Sequence, residues 1–371
     1  MHPTEQAISQ ALASNRSRIN LPIKIDEFDV DWMQRALSVK HPGVSLAAIS
    51  TEQIIWGTGT KVFVKLDYRE TDSAHTLPTR VCIKGPFDER MRKYYDLGIM
   101  FVTEAAFYRD VAPLLNIPLP QCLFAEEDGN EGIVILENLS ARSATFGDPT
   151  KPWTPETCAR ILDVLARMHA VTWGWKAGHP FRWLTLGSGA QRGGITAMMS
   201  GDRFRDLTGR AEIRPHLPRG YDDRDRVLNA LQRLWELDDL SHELTLAHGD
   251  AHMGQTYSDA AGTPGLLDWQ SAAIMPWSKD VAYFLGSALS ISDRRTHERD
   301  LLEHYLQTLQ NDGGPRIDRA SAWNSYRQQM LFGMVWPVVT EQMQSIDVIA
   351  AMSERFLTAI GDHEPMAALG C

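Results

Sequence analysis

The sequence predicts an α+β fold in two lobes, a small antiparallel-sheet lobe followed by a larger, mainly helical one. Three observations carry this reading. The chain has 371 residues, 43% hydrophobic and 23% charged, which is ample apolar material for buried cores and too little charge for disorder. Its first third shows two-residue hydrophobic alternation, and after roughly Glu137 the texture changes to helical periods broken by Pro, Gly and Ser. Domains usually run to about 100–200 residues, so this length favours two units with a cleft between them. The division that follows is a polar lead-in over 1–21, a small lobe over 22–137 and a helical lobe over 138–371.

In the small lobe, Val62, Val64 and Leu66 alternate with Phe63, Lys65 and Asp67, the pattern of a strand with one face buried. Val81 and Ile83, alternating with Cys82 and Lys84, repeat it. A further apolar run, Ile133 to Leu136, follows the turn Glu127-Asp128-Gly129-Asn130. Between them, at 100° per residue, Met100, Phe101, Phe107, Tyr108 and Val111 share a helical face with Glu104. A buried, unpaired carboxylate costs several kcal/mol, so Glu104 calls for a cationic partner, and Lys84 is the natural one.

In the helical lobe, Thr154, Pro155 and Glu156 read as N-cap, first helical position and first-turn acid, ahead of a stripe formed by Ile161, Leu162, Leu165, Met168 and His169. His169 on that stripe is expected to be a hydrogen-bonded core residue. The stretch from Gly187 to Asp223, rich in Gly, Arg and Asp, reads as a flexible excursion or lid. Leu331 to Val339 has half the length of a membrane-spanning helix and contains Pro337, so it is expected to be buried helix. Trp173, Trp175, Trp183, Trp235, Trp323 and Trp336 crowd this lobe, mostly as core, with an apolar acceptor pocket as the alternative use.

Lys plus Arg number 37 against 47 Asp plus Glu, giving a net charge of −10 with no basic run, which argues against nonspecific nucleic-acid binding. Cys82, Cys122, Cys158 and Cys371 lie far apart without a C-x-x-C pair, so neither a disulfide framework nor a zinc knuckle is indicated. The N-terminus lacks the apolar core of a signal peptide. A cytoplasmic protein without a membrane anchor is expected.

The chemistry concentrates in Leu244 to Gln270, where an apolar approach ends in His248-Gly249-Asp250 and Leu266-Leu267-Asp268-Trp269 follows, placing two acids 18 residues apart. The turn-forming run Asp259 to Gly265 lets Thr256-Tyr257 pair with Leu266-Leu267, which returns Asp268 beside the loop carrying Asp250. Two such oxygen ligands suit Mg²⁺, which takes one or two carboxylates plus the phosphates of a nucleotide. His248 and His252 lack further ligands at zinc spacing and are expected to shape the loop.

The segment His-Gly-Asp-x-His-x-Gly-x followed by Leu-Asp-Trp resembles the catalytic loop and metal-binding Asp of the aminoglycoside phosphotransferase and choline kinase-like superfamily, relatives of the protein kinases. The resemblance implies a bilobal protein kinase-like fold and an ATP- and Mg²⁺-dependent kinase acting on a small-molecule alcohol. It assigns Asp250 to accept or orient the acceptor hydroxyl and Asp268 to chelate Mg²⁺ across the phosphates. Where the superfamily usually has Asn as the second metal ligand, this chain has Gln255, with the same amide oxygen one methylene further out. A working kinase and a nucleotide-binding pseudokinase or scaffold with a weakened metal site therefore both follow as readings.

The same resemblance gives Lys84 to the α and β phosphates, Glu104 to the ion pair that orients Lys84, and the Gly57 and Gly59 loop to the phosphates through backbone amides, although a glycine hairpin turn would look the same. It places the adenine-binding segment at Glu137, where the strand runs into Asn138-Leu139. Asp280, at the start of a helix, is either a first-turn charge or a brace for the catalytic loop. A dinucleotide-binding reading of Gly57 and Gly59 lacks the third glycine and the downstream acid. The segments Thr103 to Tyr108 and Glu354 to His363 are similar to the ecdysteroid kinase-like and hydroxyacyl-CoA kinase-like branches. A polycationic amino sugar would need a strongly acidic pocket.

Overall fold

A computed structural model describes residues 19–57, 59–69, 77–89, 98–175 and 181–371. Most of the 1–21 lead-in and Thr58 of the glycine loop lie outside them. The small lobe opens with helix α1 (Val30–Ser38), whose N-cap Asp29 accepts from Trp32 N and whose face Trp32, Met33, Ala36 and Leu37 is buried. A five-stranded sheet follows, in the order β1-β2-β3-β5-β4, with antiparallel neighbours throughout. Its strands are β1 (Leu46–Ile55), β2 (Thr60–Tyr68), β3 (Arg80–Gly85), β4 (Cys122–Glu127) and β5 (Gly132–Glu137).

Val62, Val64, Leu66, Val81 and Ile83 all face the core, as their alternation predicts. Helix α2 (Gly98–Ala106) continues as a π-turn over Phe107–Val111 and packs on β5 and β4, burying Phe101, Glu104, Phe107 and Tyr108. The turn before β5 is closed by Asp128, whose Oδ1 accepts from Asn130 N and Glu131 N at 3.0 and 2.9 Å.

The helical lobe is built on α3 (Pro155–Val171), capped by Thr154 and buried along Ile161, Leu162, Leu165, Met168 and His169. The 187–223 stretch is not the irregular excursion that its composition suggests. It forms α4 (Gly189–Met198) and α5 (Gly201–Thr208), which bury Ile195, Met198, Met199 and Phe204 in the same core as α6 (Arg224–Leu240). Short helices with wide polar faces leave too few apolar repeats to show a period.

The strands β6 (Thr145–Phe146), β8 (Thr256–Ser258) and β9 (Pro264–Leu266) form one small sheet, and β7 (Leu244–Ala247) pairs with β10 (Ala273–Pro276) in another. Then come α7 (Trp277–Ala288), α8 (Ile291–Asn311), α9 (Arg319–Gln329), a buried 3-10 stretch over Met330–Val338 that includes Pro337, α10 (Ile346–His363) and the short α11 (Pro365–Leu369). Trp235 and Trp336 are buried and Trp173, Trp175, Trp183 and Trp323 half-buried against the core. Among the described residues no helix is long and apolar enough to cross a membrane.

A buried ionic network fastens α8, α9 and α10 together. Arg294 reaches Glu298 at 3.2 Å and also Asp362, while Glu298 receives Tyr326 Oη at 3.1 Å and lies 3.0 Å from His363 Nε2. Burial pushes the Glu298 and Asp362 carboxyls up, but the His363 and Arg294 contacts at Glu298, and those of Arg295 and Arg294 at Asp362, outweigh it and hold both below their ordinary values. Carboxyls lowered in this way stabilise the fold above the unfolded-state carboxylate range, and that contribution is lost as pH falls through the lower folded-state values. Removing one partner of a buried pair strands the other, so Arg294→Met is expected to cost about 3–5 kcal/mol at neutral pH. Urea unfolding of this variant should also show a flatter loss of stability below about pH 4 than the native chain.

Candidate active site

Strand β3 sits between β2 and β5, with Lys84 opposite Lys61 on one side and Val134 on the other. Its ammonium is buried and shared. Nζ lies 3.0 and 2.8 Å from the two Glu104 carboxylate oxygens and 2.7 Å from Asp268 Oδ1. The expected Lys84–Glu104 pair is therefore present, and Asp268 joins it. Burial works against the charge on Lys84, but Asp268 and Glu104 overcome it and raise its pKa. Burial raises Glu104, while at Asp268 the Lys84 charge overcomes burial and holds the carboxyl low.

Geometry holds these three segments in place. Phe107, one turn past Glu104, stacks on Trp269, the residue after Asp268, with ring centroids 3.9 Å apart and planes at 8°. Asp268 itself takes a left-handed backbone conformation, φ 64°, a conformation that costs energy at a non-glycine residue and is found at functional sites. The loop before β2 closes over the lysine: a Cβ at Gly59 would lie 2.8 Å from Lys84 Cε, so only glycine lets the backbone come this near. Gly57 has open space around it, and its carbonyl accepts from Thr60 Oγ1 at 3.3 Å.

The loop carrying Asp250 is built from below. Asp280 does not cap its helix; its carboxylate accepts from His248 N at 2.7 Å and Gly249 N at 2.9 Å, and lies 3.3 Å from His169 Nε2. His169 Nδ1 meets Tyr305 Oη at 2.8 Å, so this histidine orients the brace, as a core residue. Gly249 has φ 80°, and a Cβ there would run into the Ser271 carbonyl. His248 Nε2 donates to Leu267 O at 2.7 Å, and His252 Nδ1 accepts from Gly254 N at 3.0 Å. Both histidines shape the loop.

The hairpin forms with Thr256 opposite Leu266 and Tyr257 opposite Gly265, and Asp259 Oδ1 accepts from Ala261 N and Thr263 N in its turn. Leu267 N then donates to Gln255 O at 2.8 Å, which fixes Asp268 beside the loop. Gln255 Nε2 points to Asp250 Oδ2 at 3.4 Å. Asp250, Gln255 and Asp268 thus stand on one short connected stretch, with Lys84 and Glu104 joined to it through Asp268.

The donor set fits a hard cation beside phosphates. Asp268 and Gln255 offer a carboxylate and an amide oxygen, the oxygen donors that such a cation takes, and the charges of Lys84 and Lys61 act on the Asp268 carboxylate. Among the described residues no cluster of three or more His, Cys, Asp or Glu forms a dense metal cage. Gln270 is a neighbour that its position in the sequence did not reveal: its buried Nε2 has no hydrogen-bond partner among the described residues and lies 3.5 Å from the position a Cβ would take at Gly59. Gln191, from the stretch expected to be a lid, donates to Gly249 O at 2.9 Å. Glu137 lies at the end of β5 where the lobes join, but its side chain is engaged, accepting from Gln121 N at 2.8 Å and pairing with Arg142 at 2.6 Å.

No curated protein matches the chain in sequence. In fold it is similar to an amicoumacin kinase solved in complex with AMP-PNP, Ca²⁺ and Ami, at 15% identity over 92% of this chain and 96% of that one, TM-score 0.52. It is also similar to a spectinomycin phosphotransferase, at 12% identity over 92% and 99%, TM-score 0.49, and to the choline kinase of Streptococcus pneumoniae, at 12% identity over 88% and 98%, TM-score 0.48. The sequence profile of the ecdysteroid kinase-like family matches residues 60–312, more than half of the chain, and the protein belongs to that family of kinase-like proteins.

Proposed function

We propose that the protein is a phosphotransferase that moves the γ-phosphate of ATP, in the presence of Mg²⁺, to a hydroxyl of a small organic acceptor. The observation that carries this reading is the single buried lysine shared by Glu104 and Asp268, with Asp250 and Gln255 on the connected loop. Phosphoryl transfer passes through a loose transition state, so positioning and charge neutralisation dominate the rate. Bound Mg²⁺ would neutralise charge across the β and γ phosphates, held by Asp268 and Gln255.

The chain's own residues supply the rest. Glu104 fixes the Lys84 ammonium at the end of β3, where it can meet the α and β phosphates. Asp268 is kept charged by Lys84 and is available once that ammonium turns to a nucleotide. Gly59 brings backbone close to Lys84, and Gln270 Nε2, without a hydrogen-bond partner among the described residues, is a donor at the same place. Asp250, steadied by Gln255, accepts the hydroxyl proton or orients the hydroxyl for attack. Nucleotide-bound fold neighbours such as the amicoumacin kinase support nucleotide use. Four free cysteines suit a reducing cytoplasm. The longer Gln255 sustains a second reading, a nucleotide-binding pseudokinase in which metal binding has weakened.

Calorimetry of ATP binding separates the two. Metal-enhanced binding that disappears in Asp268→Asn is the expected result, and Gln255→Ala should raise the Mg²⁺ concentration required. Binding of the same strength with and without metal would favour the pseudokinase. Asp250→Asn is expected to lower phosphate transfer to an acceptor by roughly a hundredfold to ten-thousandfold while ATP still binds. Gly59→Ala should weaken ATP binding through the clash with Lys84, measured in the same titration.

A further inference from the structure

The strands β2 and β3 carry three lysines on one face of the small-lobe sheet. In β2, Thr60, Val62, Val64 and Leu66 point into the core, so Lys61 and Lys65 stand on the opposite, half-buried face. Lys84 of β3 stands there too, directly opposite Lys61 in the pairing of the two strands, and its contact with Asp268 shows that this face looks to the other lobe. Two of the three lysines are engaged. Lys65 pairs with Asp67 at 2.7 Å, and Lys84 with Glu104 and Asp268. Lys61 has no hydrogen bond or ion pair among the described residues.

The sheet gives no reason for a lysine at this position. On its other side Lys61 faces Ile55 of β1, which is 45% exposed and offers no charge. Side chains directly opposed in an antiparallel pair are about 5 Å apart, and like charges so placed destabilise the sheet, a repulsion that a neutral residue would avoid. The site does give a reason. Lys61 follows by two residues the Gly59 backbone that closes over Lys84. Its charge acts on both Glu104 and Asp268, and among the charges acting on Asp268 only that of Lys84 is stronger. In the reading above, Lys84 meets the α and β phosphates and Asp268 holds a cation across the β and γ phosphates. An ammonium one strand further out, partly open to the cleft and still within the field of Asp268, is placed for the phosphate next in line.

We infer that Lys61 reads the terminal phosphate of the nucleotide, so that the site selects a nucleoside triphosphate over the diphosphate. Lysine binds phosphate as a point charge on a flexible stem, and a half-buried ammonium reaches a ligand without rearrangement of the core. Transfer of the γ-phosphate to the acceptor removes the group that Lys61 holds, which loosens the diphosphate product. The inference rests on the phosphotransferase reading for the nucleotide, and adds to it the residue that tells substrate from product.

Calorimetric titration of ADP and ATP at one saturating Mg²⁺ concentration tests this. The native chain should bind ATP about tenfold or more tightly than ADP, the scale of a hydrogen bond to a charged group. Lys61→Met should bind ADP as the native chain does and lose most of the preference for ATP, and Lys61→Arg should keep part of it because the charge remains. Unchanged ADP binding also shows that the variant is folded. If Lys61→Met fails to fold, Lys61→Gln, polar but uncharged, carries the same comparison. A lysine that only balanced Glu104 and Asp268 at a distance would, on removal, weaken ADP and ATP alike, and a merely solvated one would weaken neither; either result overturns the assignment, as does equal binding of ADP and ATP by the native chain. An ATP preference that survives in Lys61→Met removes this inference alone, whereas a native chain that binds neither nucleotide removes the phosphotransferase reading and this inference with it.

Discussion

One buried ammonium shared between two carboxylates organises the candidate site of this protein. Lys84 comes from a strand, Glu104 from the helix packed on that strand and Asp268 from a hairpin of the other lobe, so a single point charge registers three separate segments. Each of the three would be costly alone in the interior, and their pairing offsets much of that cost. The pairing also explains the investment around it, because the Phe107–Trp269 stack and the close approach of Gly59 both act to keep the ammonium where the carboxylates can reach it.

The second fixed point is Asp280. Its carboxylate binds two consecutive backbone amides and is oriented by His169, itself held by Tyr305, so a chain of buried hydrogen bonds runs from the core of the helical lobe to the loop bearing Asp250. Burial raises the cost of breaking any link, which is why such a network rigidifies a loop that would otherwise move. Gly249 is the geometric counterpart: its positive φ and its approach to Ser271 let the two amides converge on one carboxylate.

Neighbouring positions on α7 thus carry opposite kinds of charge. Asp280 is hydrogen-bonded by the loop, whereas Lys279 packs on the Phe332 and Tyr283 rings with no hydrogen-bond partner among the described residues.

The sequence by itself determined the anchors. Alternation placed β2 and β3, the Glu104 face followed from a helical period, and the turn-forming residues between Asp250 and Asp268 gave the hairpin, one residue away from the Thr256-Tyr257 to Leu266-Leu267 pairing expected, because these signals are local and repeat along a few residues. Strand β1 escaped notice because it lies at the sheet edge and is mostly exposed, so its side chains need not alternate, and the helices over 189–208 were hidden by short length and polar faces. Only the tertiary structure decided that Asp268 shares Lys84, that Asp280 braces the loop, that the Glu137 carboxylate is already engaged, that Gln191 meets the loop of Asp250 and that Gln270 lies beside Gly59. Each of those depends on which distant group arrives within about 3 Å, or fails to arrive, and a contact between segments far apart in the chain leaves no period for the sequence to show.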